Sequence, residues 1–473
     1  MKALLLPDLL LVLSAFATLG LDLFMPRDSK APFHLAWAGA LAVFVVLLFL
    51  PYDQHAVFWG GYEASGRGLM YKQLFALSAA FTILLSGSYF QSGNGRQPLA
   101  YQGEFCAIIL LATFGMFTVV SATDLLTLLL GMELATIPLY ALCAFRKGCP
   151  LASEASTKYI IMGSLSTAVA VFGYSFLYGC AGSLRFDAVL AYATQHPTSP
   201  LLLLGVLLLL AAAGFKLTLF PFHMWAPDVY EGAPAPVTAF LSVSSKATAI
   251  AFLAVLVNGP LAPLHQQLQP AFLLLAAITM TVGNLGALKQ RNLLRFMAYS
   301  SIAQAGYIVL AFAGQGAMAQ TTIFYYLLVY AAANYATFFI IAVIGKSRSE
   351  EIETLQGLGR QNPGLAAVLM LAMFSLAGIP PLAGFTGKFM LFATAAQAGF
   401  YGMVLFAALN STVSLYYYLL LIKEAYITKP ASPMPALAMS PIQRASLIPL
   451  TGAMIMLGLL PSVSTAIRNI LLG

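Results

Sequence analysis

Apolar runs of bilayer length follow one another from residue 4 to residue 460, and no motif constrains this chain as tightly as that spacing. In lipid the backbone finds no water, so each run must close its hydrogen bonds within its own helix. With glycine, proline and charge as punctuation, about fourteen spans are expected, at roughly 4–24, 33–50, 69–90, 104–121, 124–145, 154–180, 200–230 (interrupted), 236–258, 270–288, 294–314, 319–345, 363–397 (interrupted), 400–427 and 441–460. Only 8% of the 473 residues are charged and 60% are hydrophobic, against roughly 25% charged in soluble domains. The chain reads as an all-α polytopic membrane protein, a single membrane domain over residues 1–473 without a soluble domain. Its start, "MKALLLPDLLLVLSAFA", imitates a signal peptide, but the apolar stretch continues to Phe24 and is taken as the first span.

Several function classes drop out. Cys106, Cys143, Cys149 and Cys180 lie singly in or beside apolar runs, without the spacing of a metal site, an iron–sulfur cluster or a disulfide framework. The histidines are scattered and only His223 falls in a stretch inside the membrane, which argues against a bis-histidine haem. No dinucleotide fingerprint or phosphate loop occurs, and "GFTGK" at 384–388 lacks both the spacing and the hydroxyl residue of one. No cofactor or metal site is expected in this chain.

The basic residues sort by side. With the N-terminus outside, the inner loops collect Arg27, Lys30, Arg96, Arg146, Lys147, Lys289, Arg291, Arg295, Lys346, Arg348, Arg360, Lys423, Lys429 and Arg444. The outer loops keep Lys2, Arg67, Lys72, Arg185 and Arg468, the asymmetry expected when basic loops stay cytoplasmic. Both termini then face out, and the net charge of +7 reflects topology, not nucleic-acid binding. Four lysines remain, Lys158, Lys216, Lys246 and Lys388, all inside expected spans, joined by Glu133 in "LLLGMELATIPLYAL". An ionised group at the bilayer centre costs on the order of 2.5–3.5 kcal/mol, so these five need partners or a wet path. Lys158, near the start of its span, also fits snorkelling or a static ion pair.

Two of the lysines stand beside helix breaks. Lys216 precedes Pro221, and Lys388 follows "GIPPLAGFTG" (378–387), where Pro380 and Pro381 must open the helix. Broken membrane helices are tolerated where the freed backbone lines a cavity, and their recurrence in two halves marks the site of an inverted-repeat transporter. The spans starting near 104 and near 270 each begin five helices whose fourth is broken. Two inverted five-helix repeats are therefore expected, spans 4–8 (104–258) and 9–13 (270–427), with three helices before them (1–100) and one after (441–473). This register sets Glu133 opposite "YSSIAQAGY" (299–307), so the repeat keeps the architecture and not the acid. A buried lysine holds its proton according to whether a carboxylate is near, which makes Lys216 a candidate carrier and the break its access to water.

The stretches "FPFHMWAPDVYEGAPAPVTAFLSVSSKA" (220–247), "KQRNLLRFMAYSSIAQAGY" (289–307) and "SLAGIPPLAGFTGKF" (375–389) resemble the antiporter-like subunits of proton-pumping NADH-quinone oxidoreductase, respiratory complex I, and among them subunit N. The resemblance runs through most of spans four to thirteen. It implies two inverted five-helix units with helices seven and twelve broken, and it matches Glu133 to the family's glutamate on helix five, Lys216 to its lysine on helix seven, Lys246 on helix eight, Lys388 on helix twelve and Lys158 on helix six. It further implies proton translocation driven by quinone reduction elsewhere in the complex, with separation of Glu133 from Lys216 releasing a proton through Lys246 towards Lys388. FMN, iron–sulfur clusters and quinone are then expected in partner subunits, subunits M and K as neighbours, and a bacterial inner membrane as location, with thylakoids as the alternative host. "DVYEGAP" and the lysine on helix twelve favour subunit N over subunit M, and the short end after span fourteen argues against subunit L.

Other residues carry milder expectations. His223, Tyr299, Ser300 and Ser301 extend a water wire or make plain interhelical hydrogen bonds. Asp228 and Glu231, after the broken helix, form a proton entrance or cap helix ends. "YYYLLL" (416–421) is expected to pack against lipid or a partner, and "SRSEEIETLQGLGRQNPG" (347–364) to be a solvated connector. Three other readings stay open: a subunit of a multi-subunit Na⁺/H⁺ antiporter, a non-transporting scaffold of the membrane arm, and a quinone-binding enzyme.

Overall fold

The computed structural model describes residues 2–26, 29–87, 101–345, 349–430, 437, 439 and 441–472. Arg27, Arg96, Lys346 and Arg348 of the inner basic set lie outside the described residues. Helices α1 (Leu6–Phe24), α2 (Ala31–Leu48) and α3 (Gly66–Ser86) come first, with a hairpin of β1 (Ala56–Phe58) and β2 (Tyr62–Ala64) between the last two. The first unit holds α4 (Gln102–Ser121), α5 (Leu125–Cys143), α6 (Pro150–Ala181), the connector α7 (Phe186–Gln195), α8 (Pro200–Leu217), α9 (Trp225–Gly232), α10 (Ala235–Phe240) and α11 (Lys246–Asn258). The second holds α12 (His265–Ala287), α13 (Leu293–Leu310), α14 (Gly316–Ile344), α15 (Leu358–Gln361), α16 (Pro363–Ala377), α17 (Ala383–Gln397) and α18 (Tyr401–Tyr426), followed by α19 (Pro441–Leu459) and α20 (Ser462–Leu472). A π-helical turn, Leu241–Ser245, joins α10 and α11 into one continuous helix.

Thirteen helices among the described residues are long and apolar enough to cross a membrane. The interrupted pair α16–α17 supplies the remaining crossing. An even number of crossings returns the chain to the face it started from, and Ile470 of α20 accordingly packs beside Gly66 at the start of α3.

The inverted repeat is written into the backbone. In the first unit Asp124 caps α5, and the strand around it pairs with the residues that follow α6, through Leu125 N–H to Leu184 O and Phe186 N–H to Thr123 O. In the second, Asn292 caps α13 and pairs with the residues that follow α14, through Leu293 N–H to Glu350 O and Ile352 N–H to Arg291 O. The same knot is tied on opposite faces. The breaks match as well: α8 ends on Thr218 and α16 on Gly378, both left-handed, with φ of 60° and 88°. Leu219 N–H and Ile379 N–H then reach back to Gly214 O and Phe374 O, which satisfies carbonyls that a helix end leaves open.

The core sits where the units meet. The continuous helix Ala235–Asn258 is 100% buried over its apolar window and α13 and α14 are 94% buried, whereas α1, α2, α6 and α18 are 33% buried and turn large apolar side chains outward. Leu13, Phe16, Leu165, Phe172, Leu405 and Leu409 are among those exposed, as expected of a lipid-facing rim. Each unit opens on a pair of helices in backbone contact at glycine: a Cβ on Gly115 of α4 would lie 2.3 Å from the Ala135 nitrogen of α5, and one on Gly283 of α12 would lie 2.4 Å from the Ala303 nitrogen of α13. Small residues let membrane helices approach this closely.

Gly283→Val should therefore prise α12 from α13 and lower the melting temperature of the purified protein, by an overpacking cost of about 1–3 kcal/mol or more. Gly402→Val, on α18 with nothing within 4 Å of the added carbon, should melt like the parent. Equal melting of the two variants would show that the glycine contact does not set the helix spacing.

Candidate functional site

Three lysines, Lys216, Lys246 and Lys388, are buried within the helix bundle. Lys216 occupies the last turn of α8, buried, with its Nζ 3.8 Å from Glu133 Oε1 on α5. It donates to Thr136 Oγ1 at 3.1 Å, and Glu133 accepts from Thr167 Oγ1 at 2.7 Å. A cavity of about 20 Å³ lies between them, bordered by Glu133, Ser166, Thr167, Tyr174 and Lys216, room for one water. The sequence left open whether Glu133 and Lys216 meet. They face each other at a distance longer than a direct hydrogen bond, and Glu133 remains 23% exposed on the flank of the bundle.

Lys246 begins α11 directly after the π turn, and its helix is buried on every side, so it has no route to the surface for snorkelling. Its Nζ donates to Ser301 O at 2.7 Å and Ser301 Oγ at 2.8 Å. Ser301 holds the position relative to the Asn292 cap that Glu133 holds relative to Asp124. The first unit's acid is thus replaced by a neutral acceptor, which serves the neighbouring unit's lysine. Tyr159 neighbours the residues that precede both lysines: its ring faces Phe215 at 6.4 Å and stacks on Trp225 at 4.6 Å, and its hydroxyl is near Ser245.

Lys388 lies in the first half of α17 and folds back over the break. Its Nζ donates to Ala377 O and Ser411 Oγ, each at 3.0 Å, and sits 4.7 Å from the Tyr307 ring centre. Ala377 O belongs to the end of α16, so the helix break itself provides the acceptor. A Cβ on Gly378 would lie 2.9 Å from the Lys388 Cδ, so glycine is required there by contact as well as by its positive φ. Lysine and break are not symmetric between the units: Lys216 stands before its break and Lys388 after its own.

Polar side chains fill the distance from Lys246 to Lys388. Next to Ser301, Ser300 Oγ is 2.6 Å from Tyr418 OH, which accepts from Gln304 Nε2 at 3.1 Å, and Gln304 Oε1 accepts from Tyr326 OH at 2.5 Å. A second branch joins Asn284 to Tyr307 OH (3.3 Å), Tyr417 OH (2.9 Å) and Asn410 Oδ1 (3.1 Å).

Several expectations are corrected by these positions. "YYYLLL" was expected to face lipid or a partner: Tyr416 is exposed, but Tyr417 and Tyr418 are buried in the polar chain, because adjacent helical positions turn to different faces. Lys158 is no buried charge. Its side chain is 42% exposed near the start of α6, bonded to Asp228 at 2.5 Å and Glu154 at 2.7 Å. Asp228 and Glu231 both accept from Arg295 at 2.8 Å, so α6, α9 and α13 are tied together at this end. His223 sits half-buried in the break and stacks on Phe220, and Tyr299 packs against Gly286. Lys72, assigned to an outer loop, lies inside α3 with 1% exposure. It bonds to Asp8 of α1 at 2.9 and 3.0 Å and to Tyr62 OH at 2.9 Å, while Tyr62 also donates to Asp8. Gln304, Asn284 and Asn410 are absent from the expected set, although an amide in the middle of an apolar run is itself a signal of an interhelical bond.

Comparison with known proteins agrees with this architecture. Residues 122–414 match the family described as "NADH:quinone oxidoreductase/Mrp antiporter, TM". The chain is 37% identical over 449 residues to NADH-quinone oxidoreductase subunit N of Moorella thermoacetica (94% of this chain, 93% of the relative) and 36% identical over 480 residues to that of Halorhodospira halophila (99% and 98%). Among solved structures it is similar to a chain of respiratory complex I from Thermus thermophilus with bound aureothin, at 34% identity and a TM-score of 0.82, covering 98% of this chain and 99% of that one. A chain of the Mrp complex from Dietzia shares the fold, with a TM-score of 0.84 at 19% identity and coverage of 99% and 96%.

The ion pair of α1 and α3 yields a stability test. Lys72→Met leaves the Asp8 carboxylate buried without its cation, and should cost about 3–5 kcal/mol. The double variant Asp8→Leu/Lys72→Met should recover most of that loss in the melting temperature. A double variant no more stable than Lys72→Met would mean that the pair is not the source of the destabilisation.

Proposed function

The chain belongs to the NADH:quinone oxidoreductase/Mrp antiporter membrane family, and from that premise we propose that it is the N-type proton-translocating subunit of a NADH-quinone oxidoreductase. The observation that supports the reading is the set of buried lysines Lys216, Lys246 and Lys388, the first facing Glu133, with hydroxyl and amide side chains lying beyond Ser301 in the second unit. We read the chain as one membrane domain, its two repeat units flanked by α1–α3 and α19, α20.

A proton on Lys216 is held by Glu133 and Thr136. Moving the carboxylate away removes that hold, and a water in the cavity and the Tyr159–Ser245 contact lie on the way to Lys246. Lys246 passes a proton to Ser301, and bridging water carries it on to the hydroxyls of Ser300, Tyr418 and Tyr326, with the Gln304 amide holding Tyr418 and Tyr326 in place without carrying a proton itself. Each hydroxyl accepts one proton and gives one on, so nothing but the proton travels. Lys388, with the freed Ala377 carbonyl and Ser411, receives it and releases it to the outer side. Lys158 and His223 are assigned no step in this line.

Electrons do not pass through this chain. FMN, iron–sulfur clusters and quinone belong to partner subunits, whose chemistry supplies the drive. The flanks of the bundle fit neighbours of the membrane arm, with subunits M and K as the proposed contacts, and lipid around the rest. We place the protein in the inner membrane of a bacterium with both termini outside.

The test compares Lys216→Met and Glu133→Gln with the parent in membrane vesicles in which the complex is assembled to normal level, following NADH-driven quinone reduction and the proton gradient together. Both activities should fall, for Lys216→Met by about tenfold, the effect of about 1.4 kcal/mol. Replacing Na⁺ in the buffer should change neither. Parent-level pumping in both variants would make these charges structural and leave a scaffold as the better reading.

A further inference from the structure

Helix α3 precedes the stretch matched by the family, yet it touches the surroundings of Lys246. The π turn before Lys246 makes the contact. A π turn widens the helix by one residue and turns successive side chains outward that an α-helix would space differently. Here it presents Ser242 and Ser244, both buried, to α14. Ser242 Oγ meets Tyr330 OH at 3.0 Å and Asn334 Oδ1 at 3.4 Å, and Tyr330 and Tyr230 hydroxyls close the ring towards Ser301, the acceptor of Lys246. Ser244 Oγ lies 3.4 Å from Tyr335 OH.

Tyr335 leads on to α3. Its hydroxyl is 2.9 Å from Thr82 Oγ1 and donates to Ser78 O at 3.0 Å, both on α3. One turn further along α3 is Ser86, fully buried, whose hydroxyl donates to Ile83 O at 2.7 Å and lies near the Cys106 thiol on α4. Above them the carboxylate of Asp22, partly exposed at the end of α1, rests on Gly103 in the first turn of α4. The direction is fixed by the helix: α3 begins on the face of the chain termini and ends at Ser86, so Thr82 and Ser86 lead to the opposite face. That is the side on which Asp228, Glu231 and Arg295 lie, reached by a different set of helices.

We propose that Tyr335, Thr82 and Ser86 form a lateral proton inlet that feeds Lys246 from the face at which α3 ends. It rests on the function proposed above and adds to it a second access, independent of the break at Pro221. The transfer balances as a relay. A proton taken up near Asp22 reaches the hydroxyl of Ser86, one bridging water carries it across the turn to Thr82, Tyr335 and Ser244 pass it on, and a second bridging water hands it to the Lys246 amine, each hydroxyl giving up its own proton while gaining one. The neutral amine of Lys246 ends as the ammonium. Nothing is oxidised or reduced.

Hydroxyl bonds between helices also serve packing alone, so the test removes oxygen without volume. Tyr335→Phe and Thr82→Val are assayed beside Thr82→Ser and Lys246→Met in vesicles with the complex assembled to parent level. Tyr335→Phe and Thr82→Val should each bring the proton gradient and NADH-driven quinone reduction below half of the parent. They should also raise the solvent deuterium isotope effect on turnover, because uptake of a proton becomes the slow step. Thr82→Ser, which keeps the hydroxyl, should match the parent. If Lys246→Met is impaired and Tyr335→Phe and Thr82→Val match the parent in rate and isotope effect, the inlet is refuted and the role of Lys246 stands. If all four variants, Lys246→Met included, match the parent, the inlet falls together with the proposed function.

Discussion

An ammonium group in the middle of a bilayer has to be held by the protein, at a solvation cost on the order of 2.5–3.5 kcal/mol if it is not. How each one is held sorts the lysines of this chain into two kinds. Lys72 bonds directly to a carboxylate at 2.9 Å inside the bundle, a lock that ties α1 to α3 and strands Asp8 if the lysine is removed. Lys158, 42% exposed, bonds to Asp228 at 2.5 Å and ties α6 to α9 at the rim, where solvent screens the pair. Lys246 and Lys388 bond to hydroxyls and main-chain carbonyls. These acceptors carry no charge, so the amine can give up its proton without leaving a bare anion beside it. Lys216 is intermediate, with Thr136 in direct contact and Glu133 at 3.8 Å, near enough to bias the lysine and far enough to let it go.

The second helix break provides what Lys388 needs, and the first orders the surroundings of Lys216. A helix spends most of its carbonyls on itself, and its end leaves several of them open. α16 ends at Ala377, whose carbonyl turns to Lys388, and α8 ends so that Phe215 O accepts from the Trp225 indole at 3.1 Å, which holds the stacked Tyr159 in place. The glycine at 378 and the left-handed Thr218 are therefore part of the same arrangement as the lysines they adjoin. Packing at the break and placement of charge are one constraint.

Much of this was legible in the residues. Apolar runs, proline pairs and the recurrence of a broken fourth helix sufficed for the spans and the inverted units, because a bilayer permits so few alternatives. Glu133, Lys216, Lys246 and Lys388 stood out for the same reason. Lys72 did not, since a lysine a turn or two inside a span looks the same in sequence as one in the loop before it, and only Asp8 arriving from α1 decides the matter. Tyr417 and Tyr418 were lost in an aromatic run whose average hydropathy says nothing about which face meets lipid. The π turn, which aims Ser242 and Ser244 at α14, has no sequence mark at all.

The two units differ in one place that sets Lys216 apart. Where the first has Glu133, the second has Ser301, so of Lys216, Lys246 and Lys388 only Lys216 faces a carboxylate. That carboxylate is also the open group: Glu133 keeps 23% of its side chain exposed, whereas Lys246 and Lys388 are 3% exposed. A change in the electrostatics of whatever packs against α5 and α6 is therefore felt first by Glu133, next by Lys216, and only through the Tyr159 contact and the serines by Lys246. Under the proposed function, a signal entering at the flank has one acid to move and one lysine to release. The neutral acceptors beyond it let the proton run on without a second charge to oppose it.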